Sequence, residues 1–132
     1  VADNRQFIAD VQAFADKTAD QMLRVARQSI QDVVRIAQTP VAQGGNMPVD
    51  TGFLRNSLVT EVRGSRAGEG ADSYVLGLSA LQLGDPFQVS WTAEYAIPRH
   101  YMVGVGQGGG LWRDNAAQQW SRIVQQNARL VQ

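Results

Sequence analysis

The first third of this chain constrains it most: a single helical period runs from about Asp3 to Gln38. Phe7, Val11, Phe14, Met22, Val25, Ile30, Val33 and Ile36 fall close to helical spacing. Ala15, Ala19, Ala26 and Ala37 add helix propensity, and Asp20 with Arg24 makes a favourable i,i+4 pair. Thr39-Pro40 ends the period, because proline disfavours helical geometry in the residue before it. At ~1.5 Å per residue such a helix is roughly 50 Å long. A globule of about 130 residues has a radius of gyration of only about 14 Å. The helix must therefore overhang its own domain, bend, or break near Thr18. One reading makes it a core helix lying across a sheet; the other packs its projecting part against a neighbouring chain. Its length favours some of each.

The rest of the chain changes period. Val41 to Pro48 reads as a loop, and VDTGFLRNSL after it as a compact helical motif. In that motif Asp50 and Thr51 are good N-cap residues, Gly52 allows a close backbone approach, and Phe53, Leu54 and Leu58 bury one face. Beyond Ser57 the period becomes two. LVTEVR (58–63), SYVLGLS (73–79), PFQVSWT (86–92) and HYMVGV (100–105) read as four strands of a small, mainly antiparallel sheet. GSRAGEGAD, LGDP and AEYAIPR carry turn residues and read as connections. A last amphipathic helix spans about 114–131, with Asp114 as its N-cap and Ala116, Trp120, Ile123, Val124, Asn127 and Val131 on one face. The prediction is one α+β domain over 1–132. It has a long helix at 1–38, a short helix and sheet at 49–105, and a C-terminal helix packed on the sheet.

Composition removes several function classes. Twelve basic residues balance twelve acidic ones, which argues against a dedicated DNA-binding module but not against a protein that surrounds DNA. With no cysteine there is no disulfide, thiolate metal ligand or thiol nucleophile, and a single histidine rules out a multi-histidine metal site within one chain. No catalytic residue, cofactor or metal is predicted. The N-terminal VADNRQFIAD has no apolar core of signal-peptide length, and no stretch approaches the ~20 apolar residues of a membrane span. The expectation is a chain made and kept in the cytoplasm until it joins an assembly, without a membrane partner.

Three motifs tempt a chemical reading. Gly104-Val-Gly106-Gln-Gly-Gly109 matches the dinucleotide fingerprint formally. That fingerprint needs a second strand and an acidic residue ~20 positions on. Only Gly110–Gln132 remain, and the relevant stretch reads QQNAR, so a Gly-rich loop is the better reading. His100, with Asp114, Asp85 or Glu94 near it, is a candidate base lacking any triad or paired-carboxylate spacing. Trp91, Trp112, Trp120, Tyr74, Tyr95 and Tyr101 are candidate stacking platforms, but the basic residues are scattered, so core and interface anchoring is the better use.

Met47-Pro48-Val49-Asp50-Thr51-Gly52-Phe53-Leu54-Arg55-Asn56-Ser57-Leu58 resembles the P-V-D-T-G-x-L-R-x-S signature of the tailed-phage tail-completion, or head–tail joining, neck protein family. The order of elements is similar over nearly the whole chain. Tyr95-Ala96 stands where the family has its Tyr-Ala pair. Leu111-Trp112-Arg113, followed by Ala116, resembles the opening of the family's last helix. One stretch departs: PRHYMVGVGQGGG replaces the Glu-x-Gly-Thr common in the family soon after Tyr-Ala.

The resemblance implies a structural virion subunit, made in the host bacterial cytoplasm and built into the neck or tail. It implies a sixfold ring of identical chains joining the portal side of the head to the tail. Axial partners would be a portal, head-closure or adaptor protein on one side and a tail terminator or tail tube protein on the other. Phage DNA would pass through the lumen without sequence-specific binding. Val49, Asp50, Thr51, Gly52, Leu54, Arg55, Tyr95, Ala96 and Trp112 are the motif residues with structural or interface roles. Leu54 and Leu58 would anchor the short helix, and Arg55 is the candidate for a fixed ion pair within or between subunits. Loops 64–72 and 104–110 are the candidate docking elements, ordering on assembly. A tail terminator or head-closure adaptor is the alternative within the same class. A small cytoplasmic protein binding a ligand in the Gly-rich mouth is the alternative outside it.

Overall fold

The computed structural model of the chain describes residues 3–50, 52–104 and 108–131. Helix α1 spans Asp3–Gln38, as its apolar period predicts. It stops where Pro40 follows: the Thr39 N–H donates to the Ile36 carbonyl at 3.3 Å and Thr39 Oγ1 to the Arg35 carbonyl at 2.7 Å. Surface pairs Gln6–Asp10, Gln12–Asp16 and Gln28–Asp32 hydrogen-bond across one turn, each at 2.9 Å. The expected Asp20–Arg24 ion pair does not form among the described residues.

After a short 3₁₀ turn at Val41–Gln43 come α2 (Phe53–Asn56), β1 (Leu58–Val62), β2 (Ser65–Glu69), α3 (Ser73–Ala80), β3 (Phe87–Trp91), α4 (Ala96–Tyr101), α5 (Trp112–Ala117) and α6 (Trp120–Leu130). The fold is α+β, with one antiparallel sheet of three strands in the order β2-β1-β3. Two of the four expected strands are present, β1 and β3, and β2 lies in a stretch read as a turn. β1 and β2 are joined by a two-residue hairpin at Arg63-Gly64, both with positive φ, at 54° and 76°. That is the type I′ geometry whose twist suits paired strands.

The other two expected strands are helices. In α3 the buried residues are Ser73, Tyr74, Gly77 and Leu78, while Val75 and Leu76 are exposed, so the burial repeat is helical. Gly77 lets α3 lie directly on the sheet. A Cβ there would stand 2.6 Å from Thr60 Cγ2 and 2.9 Å from the Phe87 ring. Thr60 and Ser73 hydroxyls meet at 2.9 Å under the same contact. In α4, Ala96 and His100 are buried one turn apart, and Pro98 is tolerated because it stands in the first turn, where no intrahelical N–H bond is lost.

The C-terminal segment is two helices, not one. The turn at Gln118-Gln119 tightens the backbone, with the Gln119 N–H bonded three residues back to Ala116 at 3.0 Å. Asp114 lies inside α5 and does not cap it; Leu111 is the N-cap, held by its N–H on the His100 carbonyl at 2.7 Å. These helices pack on α1 more than on the sheet. Ile123 and Asn127 face inward, one turn apart, while Trp120 is exposed. Asn127 Nδ2 donates to Ser29 Oγ at 3.2 Å and to Asp32 Oδ2 at 3.0 Å, fixing the register of α6 on α1. Near the end of α6, Gln21 Nε2 reaches the Val131 carbonyl at 3.3 Å.

Two apolar clusters hold these layers. Ala37, Met47, Leu54, Ala93, Ala96, Trp112 and Ala116 form one at the C-terminal end of α1. Val34, Leu58, Val62, Tyr74, Leu78 and Leu81 form the other, between α1, the sheet and α3. Each buried Val, Leu or Met there is worth about 1.5–3 kcal/mol. The first half of α1 takes no share in either cluster. Every described side chain from Arg5 to Lys17 is exposed; Phe7 falls outside that description. The stretch from Asp3 to Lys17 is about 22 Å long.

Candidate functional site

The motif residues separate into two groups. Val49, Leu54, Ala96 and Trp112 come together in the first apolar cluster, although they are far apart in sequence. Asp50, Gly52, Arg55 and Tyr95 are not in that cluster. Asp50 is exposed, and Tyr95 is exposed with its ring 6.0 Å from that of Phe53. Phe53 is exposed and does not bury a helix face as expected. The cap of α2 differs too: Gly52, at φ 85°, occupies the N-cap position. Thr51, expected to share that role with Asp50, lies outside the described residues. Arg55 makes no ion pair among the described residues, and its Nε is buried without a hydrogen-bond partner. Leu58 anchors as expected, but in the second cluster.

A concentration of polar and aromatic groups lies between β3 and α4. Val89, Trp91, Ile97, His100, Tyr101 and Trp112 line an open groove of about 410 Å³. Trp112 meets the Trp91 ring edge-on at 6.1 Å and the His100 ring edge-on at 4.8 Å. His100 is only 5% exposed. Neither of its ring nitrogens has a hydrogen-bond partner among the described residues, and the same holds for the indole N–H groups of Trp91 and Trp112. Asp114 Oδ1 stands 3.9 Å from His100 Nε2, beyond hydrogen-bond distance. Burial lowers the His100 pKa, Asp114 partly opposes that, and Arg113 reinforces it. The imidazole is therefore neutral at pH 7. Arg113 is itself engaged, donating to Asp114 at 3.0 Å and to the Tyr101 hydroxyl at 3.3 Å, which raises its pKa.

Among the described residues no carboxylate is in hydrogen-bond contact with His100 to orient it. The histidine is a wedge between Tyr101 and Trp112 at the groove floor. No group of three or more metal-ligating side chains occurs among the described residues. The Gly-rich stretch follows helix α4, not a strand, and leads into a helix of six residues. It lacks the strand–loop–helix frame that a dinucleotide site needs. Val105, Gly106 and Gln107 lie outside the described residues. The flanking residues are tied down, Gly104 to Gly109 at 2.9 Å and Gly110 to Asn46 at 2.8 Å. Of the two expected docking loops, the other (64–72) contains β2.

The length of α1 predicts a projecting part, and Val11 and Phe14 were named as helix-face residues, but sequence reasoning did not single them out as the uncovered ones. They are 51% and 72% exposed, and Ile8 beside them is 66% exposed. They share one side of the projecting half of α1, at helical spacing. It also missed Ile97 and the free edge of β3, because the partner order of strands is a property of topology. Among the described residues no helix is long and apolar enough to cross a membrane. Comparison with protein-family models, curated proteins and solved structures finds no match to this chain.

Proposed function

We propose that this chain is a structural subunit of a tailed-phage virion, one member of a homo-oligomeric ring joining head and tail and passing DNA through its lumen. The observation that carries the reading is the projecting half of α1, an arm about 22 Å long with Ile8, Val11 and Phe14 bare along one side. An exposed, contiguous apolar stripe is the mark of an association surface. The VDTGFLRNSL signature supports the placement in the neck. Its apolar residues pack with Ala96 and Trp112, consistent with a motif that builds the subunit while α1 joins subunits.

Native mass spectrometry of the wild type and of a triple Ile8→Ser, Val11→Ser, Phe14→Ser variant tests this. A discrete ring for the wild type and a folded monomer for the variant are expected. A wild-type monomer that stays monomeric with portal and tail proteins present would remove the reading. The tail-terminator and head-closure alternatives predict the same ring and differ in which axial protein it captures. The ligand-binding alternative rests on the groove between β3 and α4, and predicts a monomer.

A further inference from the structure

The sheet has two edges, and they are built differently. On β2 the outer edge carries an Arg66–Glu69 ion pair, and a register shift interrupts its pairing with β1 between Thr60 and Glu61. Charge and bulge are the usual devices that stop an edge from pairing with another chain. β3 has neither. Phe87-Gln88-Val89-Ser90-Trp91 contains no charged residue and no proline, and pairs with β1 in unbroken register.

That register shows which backbone groups are left over. The Arg63 N–H donates to Pro86 and the Thr92 N–H to Ser57, so even-numbered positions of β3 face β1. In an antiparallel ladder the positions between them face the opposite way. Phe87, Val89 and Trp91 therefore turn their N–H and C=O groups outward. β1 is the only strand beside β3 in the sheet, and none of these groups has a partner among the described residues. The groove walled by Ile97 and Tyr101 runs along this same edge, touching every residue from Gln88 to Trp91.

We propose that the β3 edge is a docking site for an extended segment of another protein, laid down as a fourth strand of about five residues. A row of alternating donors and acceptors spaced about 6.8 Å apart fits a peptide backbone. The segment is apolar at alternate positions, to fill the wall of Ile97, Tyr101 and Trp91, and uncharged in its middle, where it would lie along the uncharged Gln88, Val89 and Ser90 of the strand edge. Nucleic acid does not suit the groove, since the one cation lining it, Arg113, is already bonded to Asp114 and Tyr101. A second copy of β3 does not suit it either. That strand would arrive with its own α4 beside it, and the wall already stands there. This inference does not depend on the neck reading.

The probe is a library of random octapeptides displayed on ribosomes, selected on the wild-type protein and counter-selected on Val89→Pro. Proline is tolerated on an edge strand whose N–H faces away from its neighbour. Val89→Pro therefore keeps the β1 ladder and removes one outward donor. Selected peptides should alternate apolar residues and slow amide exchange at Val89 and Trp91 about tenfold or more, leaving Gln88 and Ser90 unchanged. They should bind Val89→Pro about tenfold more weakly, a loss of about 1.4 kcal/mol. Gln88→Lys, which adds a charge beside cross-strand Glu61, should weaken binding too and carries the test where the proline variant does not fold. Selection of no peptide, or equal binding to both variants and the wild type, would overturn the proposal. So would exchange at Val89 and Trp91 that slows with protein concentration alone, which would assign the edge to a second copy.

Discussion

Residues 5–17 and residues 21–38 of α1 share helical geometry and a similar mix of apolar and charged side chains, but not surroundings. In the second stretch Ser29, Val34, Ala37 and Gln38 are buried, and Gln38 Nε2 and Arg27 Nη2 donate to the carbonyls of Ala71 and Leu81. In the first, no described side chain is covered. The buried stretch is helical because burial stabilises it. The projecting stretch is helical because it extends a helix whose nucleation cost is already met. An isolated helix of its length would be marginal in water. Its apolar stripe is thus presented in order before any partner arrives, which lowers the entropy cost of docking.

The sharpest way to break this contrast is the same substitution in each half. Val34→Asp places an unpaired charge in the second cluster and should cost about 3–5 kcal/mol, enough to unfold a chain of ordinary stability in a urea titration. Asn127→Ala leaves Ser29 Oγ and Asp32 Oδ2 without their donor from α6, while Gln28 still bonds Asp32 Oδ1, and should cost about 1–3 kcal/mol, loosening α6 from the buried half alone. Amide exchange should then quicken in α6 and around Ser29, not in residues 5–17.

Acidification should act on the body and spare the arm. His100 is held below its ordinary pKa, so the unfolded chain binds its proton more readily than the folded one. The stability it contributes is complete above the unfolded value of about 6.5 and is lost as pH falls through the lower folded value. Urea midpoints should therefore fall below pH 6.5, and His100→Gln should flatten that slope. Val11→Asp should have the smallest effect on folding, within about 0.5 kcal/mol of wild type, because the site is already solvated. It should still abolish the proposed assembly, with native mass measurement as the check. A large folding defect from Val11→Asp would show that the arm is not free.

The sequence made α1 legible almost to the residue, since a long single period and a proline stop leave little choice. β1 and β3 were legible for the same reason, by clean alternation. α3 was not: SYVLGLS alternates apolar residues and also fits a helix, and the deciding fact is that Gly77 must lie against Thr60 and Phe87. β2 was hidden because SRAGE has no apolar stripe. The strand exists because the Arg63-Gly64 turn returns it to β1. The overhang of α1 was legible from its length alone. The meeting of Val49, Leu54, Ala96 and Trp112 in one cluster, the particular side chains left bare on α1 and the open edge of β3 were not, because they depend on what the rest of the chain reaches and fails to reach.

The contact of Gln21 with Val131 sets a fulcrum. Beyond that point α1 is a lever, and the length of α6 decides how much of it swings free. A tilt of about 5° at Gln21 moves the tip at Asp3, about 27 Å away, by about 2.4 Å, a little under half of the ~5.4 Å pitch of a helical turn. One more turn on α6 would shorten the lever by that pitch. In the proposed assembly such a lever lets a chain meet neighbours at slightly different angles without repacking its core, and the reach of α6 along α1 sets the range.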